Sequence, residues 1–217
     1  MLLSKYVESK FFKNTLQGKL KFGTLEEYRR YEDGADLRLS DYTEGVEERL
    51  VYEEIINQPF GSGTITSFGN GGANFALKHK FNAYVICFSF GSYNKNHHRE
   101  FHEKNKSNLP NYVVFDLDKF LSVTNEMSKV YLSNGVIEHD KITYLDAKAK
   151  IVPFSEIQTG SPNRKEATFT KESRFLYENE YRIAIFADDI KGSLFTENFS
   201  SDVINSFAES IVNYGSL

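Results

Sequence analysis

The sequence predicts an α+β domain on a mainly antiparallel sheet, with helices gathered toward the N-terminus and one more helix at the C-terminus. Three observations point there. Apolar or alternating runs of strand length recur without the regular strand-helix-strand alternation of a parallel sheet. Aromatic residues make up 15% of the 217, all of them Phe and Tyr, which favours β structure. The clearest helix signal lies within the first 30 residues.

Taken in order, LLSKY (2–6) is a short strand, and 8–16 reads as a helix with Phe11, Phe12, Thr15 and Leu16 along one side and Gly18 as its stop. KLKF (19–22) alternates like a strand. Thr24 and Glu27 form a capping box ahead of LEEYRRYE. Residues 33–45 are polar and turn-rich, VEERLVYEEI (46–55) suits an exposed strand, and the glycine-rich 61–74 reads as a hairpin with Asn70-Gly71 at its tip. As a phosphate cradle that segment lacks G-K-[ST] and a strand-to-helix context. AYVICFSFG (83–91) is a central strand by its apolar content, YVVFDLD (112–118) is another, and Asp116 or Asp118 caps a helix reaching Lys129. VYLSNGVIEH (130–139) is expected as a hairpin on Asn134-Gly135 and KITYLDAKAKIV (141–152) as a strand. FLYENEYRIAIF (175–186) is expected as a long strand and SDVINSFAESIVNY (201–214) as the C-terminal helix.

No linker-like stretch divides the chain, so residues 1–217 are read as one domain. A net charge of -4 and a pI near 5.8 argue against a non-specific nucleic-acid binder, which needs a basic footprint to displace counterions. The single cysteine, Cys87, cannot form an intramolecular disulfide and fits a reducing compartment. No apolar run approaches the roughly 20 residues that span a bilayer, and MLLSKYVESK has no apolar core followed by a cleavage site. The expectation is a cytoplasmic protein that does not engage membrane.

Several residues invite a chemical reading. His98 and His102 stand i, i+4 in NHHREFHEKN, but the metalloprotease arrangement needs Glu where Arg99 stands, and a solvated polar helix explains the run without metal. Cys87 lies inside an apolar strand with nothing near in sequence to lower its pKa, so it reads as a small buried hydrophobe. Ser89 shares its face, without the G-x-S-x-G elbow of a hydrolase. In FLYENEYRIAIF, Glu178, Glu180 and Arg182 would form one row on a strand, spaced by about 6.8 Å. That row is either an exposed charge ladder worth tenths of a kcal/mol per pair, or a carboxylate site at the margin of a cleft. The spacing leaves both open.

The ordered set of short motifs resembles a large bacterial and phage domain family of unassigned function. Its K-Y strand is matched by Lys5-Tyr6, its G-x-L-x-F strand by Gly18 to Phe22, and its F/Y-R-x-x-E-D helix end by Tyr28-Arg29 with Glu32-Asp33. Asp41 to Gly45 match a D-x-x-E-G segment, Cys87 to Ser89 a C-F-S strand, and Glu178 to Arg182 an E-x-E-Y-R strand. The order is also similar to that of the ADP-ribosyltransferase superfamily, which implies a split antiparallel sheet around a NAD cleft. The likeness implies Lys5 or Tyr6 as the first-strand polar residue, Ser89 as the middle element orienting a ribose, and Glu180 as the catalytic carboxylate. Glu178 would then engage the acceptor, and Arg182 would orient Glu180 or pair with phosphate. Two departures stand out: no Arg or His lies on the first strand, and the middle strand reads Cys-Phe-Ser.

The likeness implies an enzyme that transfers ADP-ribose from NAD to a protein or nucleic-acid acceptor, as an intracellular toxin or phage-host conflict factor. The missing first-strand Arg or His, together with the acidic net charge, supports instead a catalytically inactive module that binds a protein partner. A nuclease with Asp41, Glu44, Glu178 and Glu180 around Mg²⁺ is a third reading.

Overall fold

The structure, a computed structural model, describes residues 1–30, 45–52, 64–65, 75–105, 108–132, 135–146, 150–153 and 162–217. In chain order its elements are β1 (Leu2–Val7), α1 (Ser9–Leu16), β2 (Lys21–Thr24), α2 (Leu25–Arg30), β3 (Val46–Tyr52), β4 (Thr64–Ile65), β5 (Phe75–Lys80), β6 (Tyr84–Phe90) and α3 (Lys95–Asn105). There follow β7 (Asn111–Asp116), α4 (Leu117–Tyr131), β8 (Val136–Lys141), β9 (Thr143–Leu145), β10 (Lys150–Pro153), α5 (Arg164–Thr168) and β11 (Thr170–Glu172). A 3₁₀ segment (Ser173–Glu178), β12 (Glu180–Phe186), β13 (Leu194–Phe195), a 3₁₀ turn (Thr196–Asn198), α6 (Ser201–Glu209) and β14 (Ile211–Ser216) complete the chain.

The main sheet is antiparallel at every pairing, in the order β13-β2-β6-β1-β7-β14, with β12 and then β8 on the other edge of β6. β6 is apolar along most of its length because both of its faces are covered. Its two edges are used differently. β12 pairs with it from Tyr84 to Ser89, whereas the opposite edge is shared: β1 takes Ser89 and Phe90, and β2 takes Tyr84 and Val85. The sheet therefore forks along β6, between the ends of β1 and β2.

One face of the sheet carries Leu3, Val7, Ile86, Phe88, Val113, Phe115, Ile183 and Ile185 against Phe120, Val123 and Met127 of α4 and Val203 and Phe207 of α6. Aromatic rings lock this layer edge to face, as Phe88 and Phe120 do at 5.1 Å. The opposite face buries a smaller cluster, Val85, Ala184 and Phe186 with Leu25, Ile142 and Phe169, and its far end is polar. Two smaller sheets, β10-β3-β5-β4 and β11-β9, contain the parallel pairs β3 with β10 and β9 with β11.

Local signals explain most boundaries. The Thr24/Glu27 capping box forms, with Thr24 N–H donating to Glu27 and Glu27 N–H to the Thr24 hydroxyl at 3.0 Å. Asp116 caps α4 by accepting from Lys119 N–H. Gly18, at φ +75°, ends the turn after α1 where an added Cβ would lie 2.0 Å from the Ile204 carbonyl of α6.

Four expectations need correction. Residues 130–139 are not a hairpin, because α4 continues to Tyr131 before the chain enters β8; Asn134 itself lies outside the described residues. Residues 141–152 divide between β9 and β10, which join different sheets. The C-terminal helix stops at Glu209, and the β-branched pair Ile211-Val212 opens an edge strand instead. FLYENEYRIAIF is a strand only from Glu180: Ser173–Glu178 is 3₁₀, and Asn179 sits left-handed at φ 45°, turning the chain into β12. Most of 33–45 and of the 61–74 hairpin, with its Asn70-Gly71 tip, lies outside the described residues, as do Asp41 and Glu44 of the nuclease reading.

Candidate functional site

Strand register assembles the site. Ser89 of β6 is flanked directly by Ser4 of β1 and by Glu180 of β12, so these three share the polar end of one sheet face. Cys87 and Arg182 form the next row on the same face. Alternation along β1 adds Tyr6 to it and turns Lys5 to the other side, with Leu3 and Val7. Over this face lie α3, the 3₁₀ segment, β11 and Tyr144 of β9.

Charge is concentrated there. Glu180 is 4% exposed and Arg182 1%, and the guanidinium donates to Glu180 Oε1 from two nitrogens at 2.7 and 2.8 Å. A third Arg182 donor goes to the Thr168 carbonyl. Lys171 Nζ donates to Glu180 Oε2 at 2.9 Å and to Glu178 Oε2 at 2.6 Å, so one ammonium joins the two carboxylates. The Glu180 amide donates to the Tyr144 hydroxyl at 2.9 Å. The ladder expected on one strand is thus a bent cluster, in which Glu178 reaches Lys171 from the 3₁₀ segment.

The two carboxyls titrate apart. Burial opposes ionisation of Glu180, but Arg182 and Lys171 outweigh it and hold this group well below the usual carboxylate range. For Glu178 burial prevails over the pull of Lys171, and the charge of Glu180 adds to it, so this carboxyl is pushed up to about 7. Cys87 is pushed up to about 12 by burial and then by Glu180, so it stays a thiol, within hydrogen-bonding reach of Glu180. That protonation makes it a donor in the site and no nucleophile.

Tyr6 brings a second set of groups. Its hydroxyl lies 2.7 Å from His97 Nδ1, and His97 Nε2 lies 2.9 Å from the Tyr177 carbonyl. A carbonyl only accepts, so His97 carries its proton on Nε2 and Tyr6 O–H donates to Nδ1. His98 stacks flat on the Tyr6 ring at 4.1 Å and is 0% exposed, which corrects the expectation of a wholly solvated helix. Asn94 sets this helix in place by accepting from the Asn96 and His97 amides. The 3₁₀ segment closes over the site: Ser89 donates to the Glu178 carbonyl at 3.2 Å, His97 holds the Tyr177 carbonyl, and Asn179 Nδ2 donates to the Phe90 carbonyl.

Of the residues predicted from sequence, Tyr6, Ser89, Glu178, Glu180 and Arg182 meet at this end of the sheet. Lys5 starts on the opposite face, and its Nζ reaches the Cys87 carbonyl at 2.9 Å. Lys171 and Tyr144 were missed, and His97 was noticed only within the histidine-rich run read as a solvated helix. Nothing in TFTKES sets Lys171 apart from a surface lysine, and β9 and α3 reach the site only through long-range packing. Among the described residues no group of His, Cys, Asp and Glu is arranged to hold a metal ion, and no helix is long and apolar enough to cross a membrane.

No family model, curated protein or solved structure matches this chain.

Proposed function

We propose that the chain cleaves the nicotinamide-ribose bond of NAD and passes ADP-ribose to a macromolecular acceptor. The observation that carries this reading is the Glu178/Glu180 pair: two carboxyls beside one ammonium, one held ionised and the other pushed up to about 7. Environments that drive neighbouring carboxyls apart divide the work of anion and proton carrier, and glycosidic bond cleavage needs both. Glu180, oriented by Arg182, supplies fixed negative charge to a ribosyl cation. Glu178 takes the acceptor's proton. Tyr6 and Tyr177 offer aromatic surface for the nicotinamide, and Ser89 a donor for the ribose. The Glu178 carbonyl accepts from Ser89 at 3.2 Å, so a ribose hydroxyl competes with that carbonyl for the Ser89 donor.

The resemblance to the bacterial and phage family supports a role in phage-host conflict, inside the cell. Incubation with labelled NAD and cell lysate tests the activity: label moves to a macromolecule with wild-type protein and does not with Glu180→Gln. No transfer and no NAD-dependent thermal shift would overturn it.

A second reading rests on the saturation of Glu180, whose two oxygens are both engaged. In it the cluster only ties β11 and the 3₁₀ segment to the sheet, and the chain is an inactive module for a protein partner. Wild-type behaviour of Glu180→Gln in cells, with a stoichiometric partner recovered by pull-down, favours this reading.

A further inference from the structure

We infer that Lys5 is an amine nucleophile of the forked sheet, able to take a small aldehyde as an imine. β1 and β2 use the ends of one edge of β6 and leave its middle to neither, and the Lys5 side chain turns into that gap. There its Nζ donates to one acceptor, the Cys87 carbonyl, and lies 5.4 Å from the centre of the Phe88 ring. No carboxylate among the described residues is within ion-pair distance of it. Glu180 is already engaged by Arg182 and Lys171. An ammonium here has given up water for one carbonyl and a ring, while a neutral amine keeps the same carbonyl bond and retains a free lone pair. Burial accordingly lowers the Lys5 pKa, although the charge of Glu180 opposes this. A lysine desolvated among apolar side chains is an arrangement that forms Schiff bases.

The step balances without a redox partner. The lone pair of Nζ attacks the carbonyl carbon, the C=O electrons move to oxygen, and a proton passes from nitrogen to that oxygen to give a carbinolamine. Loss of water then forms the C=N bond. Solvent supplies the proton that lets the hydroxyl depart as water and takes one back from the iminium nitrogen. No nucleotide takes part, so this inference stands or falls separately from the NAD reading.

The test treats the whole chain with glycolaldehyde and cyanoborohydride between pH 6 and 9, and reads each lysine by peptide mass spectrometry. At pH 7 the Lys5 adduct is expected in excess of that on exposed Lys10, because burial leaves more of the Lys5 amine unprotonated. Its rate should level off at lower pH than that of Lys10, and Lys5→Arg should remove that adduct alone. A Lys5 that stays unmodified while Lys10 reacts, or that follows the pH dependence of Lys10, overturns the inference.

Discussion

Glu178 and Glu180 accept hydrogen bonds from the same Lys171 ammonium, at 2.6 and 2.9 Å, yet one carboxyl is driven up and the other down. The difference lies in Arg182, which bonds Glu180 from two nitrogens, while among the described residues the cation paired with Glu178 is Lys171.

The first consequence is a stability profile of known sign. Glu178 has a folded pKa of about 7, above its ordinary 4.5, so its contribution is fully present below pH 4.5 and is lost as pH rises through 7. Glu180 is depressed, so its contribution is present above the ordinary carboxylate pKa and is lost as acid finally protonates it. The unfolding free energy from urea titrations should fall for the wild type between pH 5 and 8, by at most about 3 kcal/mol. Glu178→Gln should flatten this decline, and an unchanged slope would remove Glu178 as its source.

Arg182 should be the costliest charge to delete. Arg182→Met leaves Glu180 buried against Lys171 alone and should destabilise by about 3–5 kcal/mol. The double variant Arg182→Met with Glu180→Gln should recover part of that loss, measured by denaturant midpoints. A single-variant loss under about 1 kcal/mol would contradict the cluster's burial.

The hydrogen bonds of His97 predict its tautomer. Nitrogen NMR should show Nε2 protonated and Nδ1 accepting, and Tyr6→Phe should move the Nδ1 resonance while leaving Nε2 protonated. A proton found on Nδ1 would reverse the direction of the Tyr6 bond.

Gly18 should resist substitution. Its φ of +75° and the Ile204 carbonyl at 2.0 Å from any added Cβ predict that Gly18→Ala costs on the order of 2 kcal/mol or more by thermal or urea unfolding.

Much of this was legible in the sequence, for local reasons. The capping box at Thr24, the cap at Asp116 and the apolar run around Cys87 are signals carried by a few adjacent residues, and each forms where expected. Tyr6, Ser89 and Glu180 meet because their strands are neighbours in an antiparallel sheet. What failed was set by tertiary packing. The spacing of Glu178, Glu180 and Arg182 suits a strand, but the left-handed Asn179 breaks that row. Lys171 comes from β11, whose three residues pair only with β9, and no periodicity in the chain announces that contact. His98 reads as polar surface until Tyr6 is seen stacked upon it.

The most direct test of the central claim is nicotinamide release from NAD by the purified chain, compared with Glu180→Gln and Glu178→Gln. Steady release by the wild type, reduced about 10²- to 10⁴-fold by Glu180→Gln, is the predicted result, with the pH dependence near 7 abolished in Glu178→Gln. Release that is absent in the wild type, or equal in all three proteins, would contradict it.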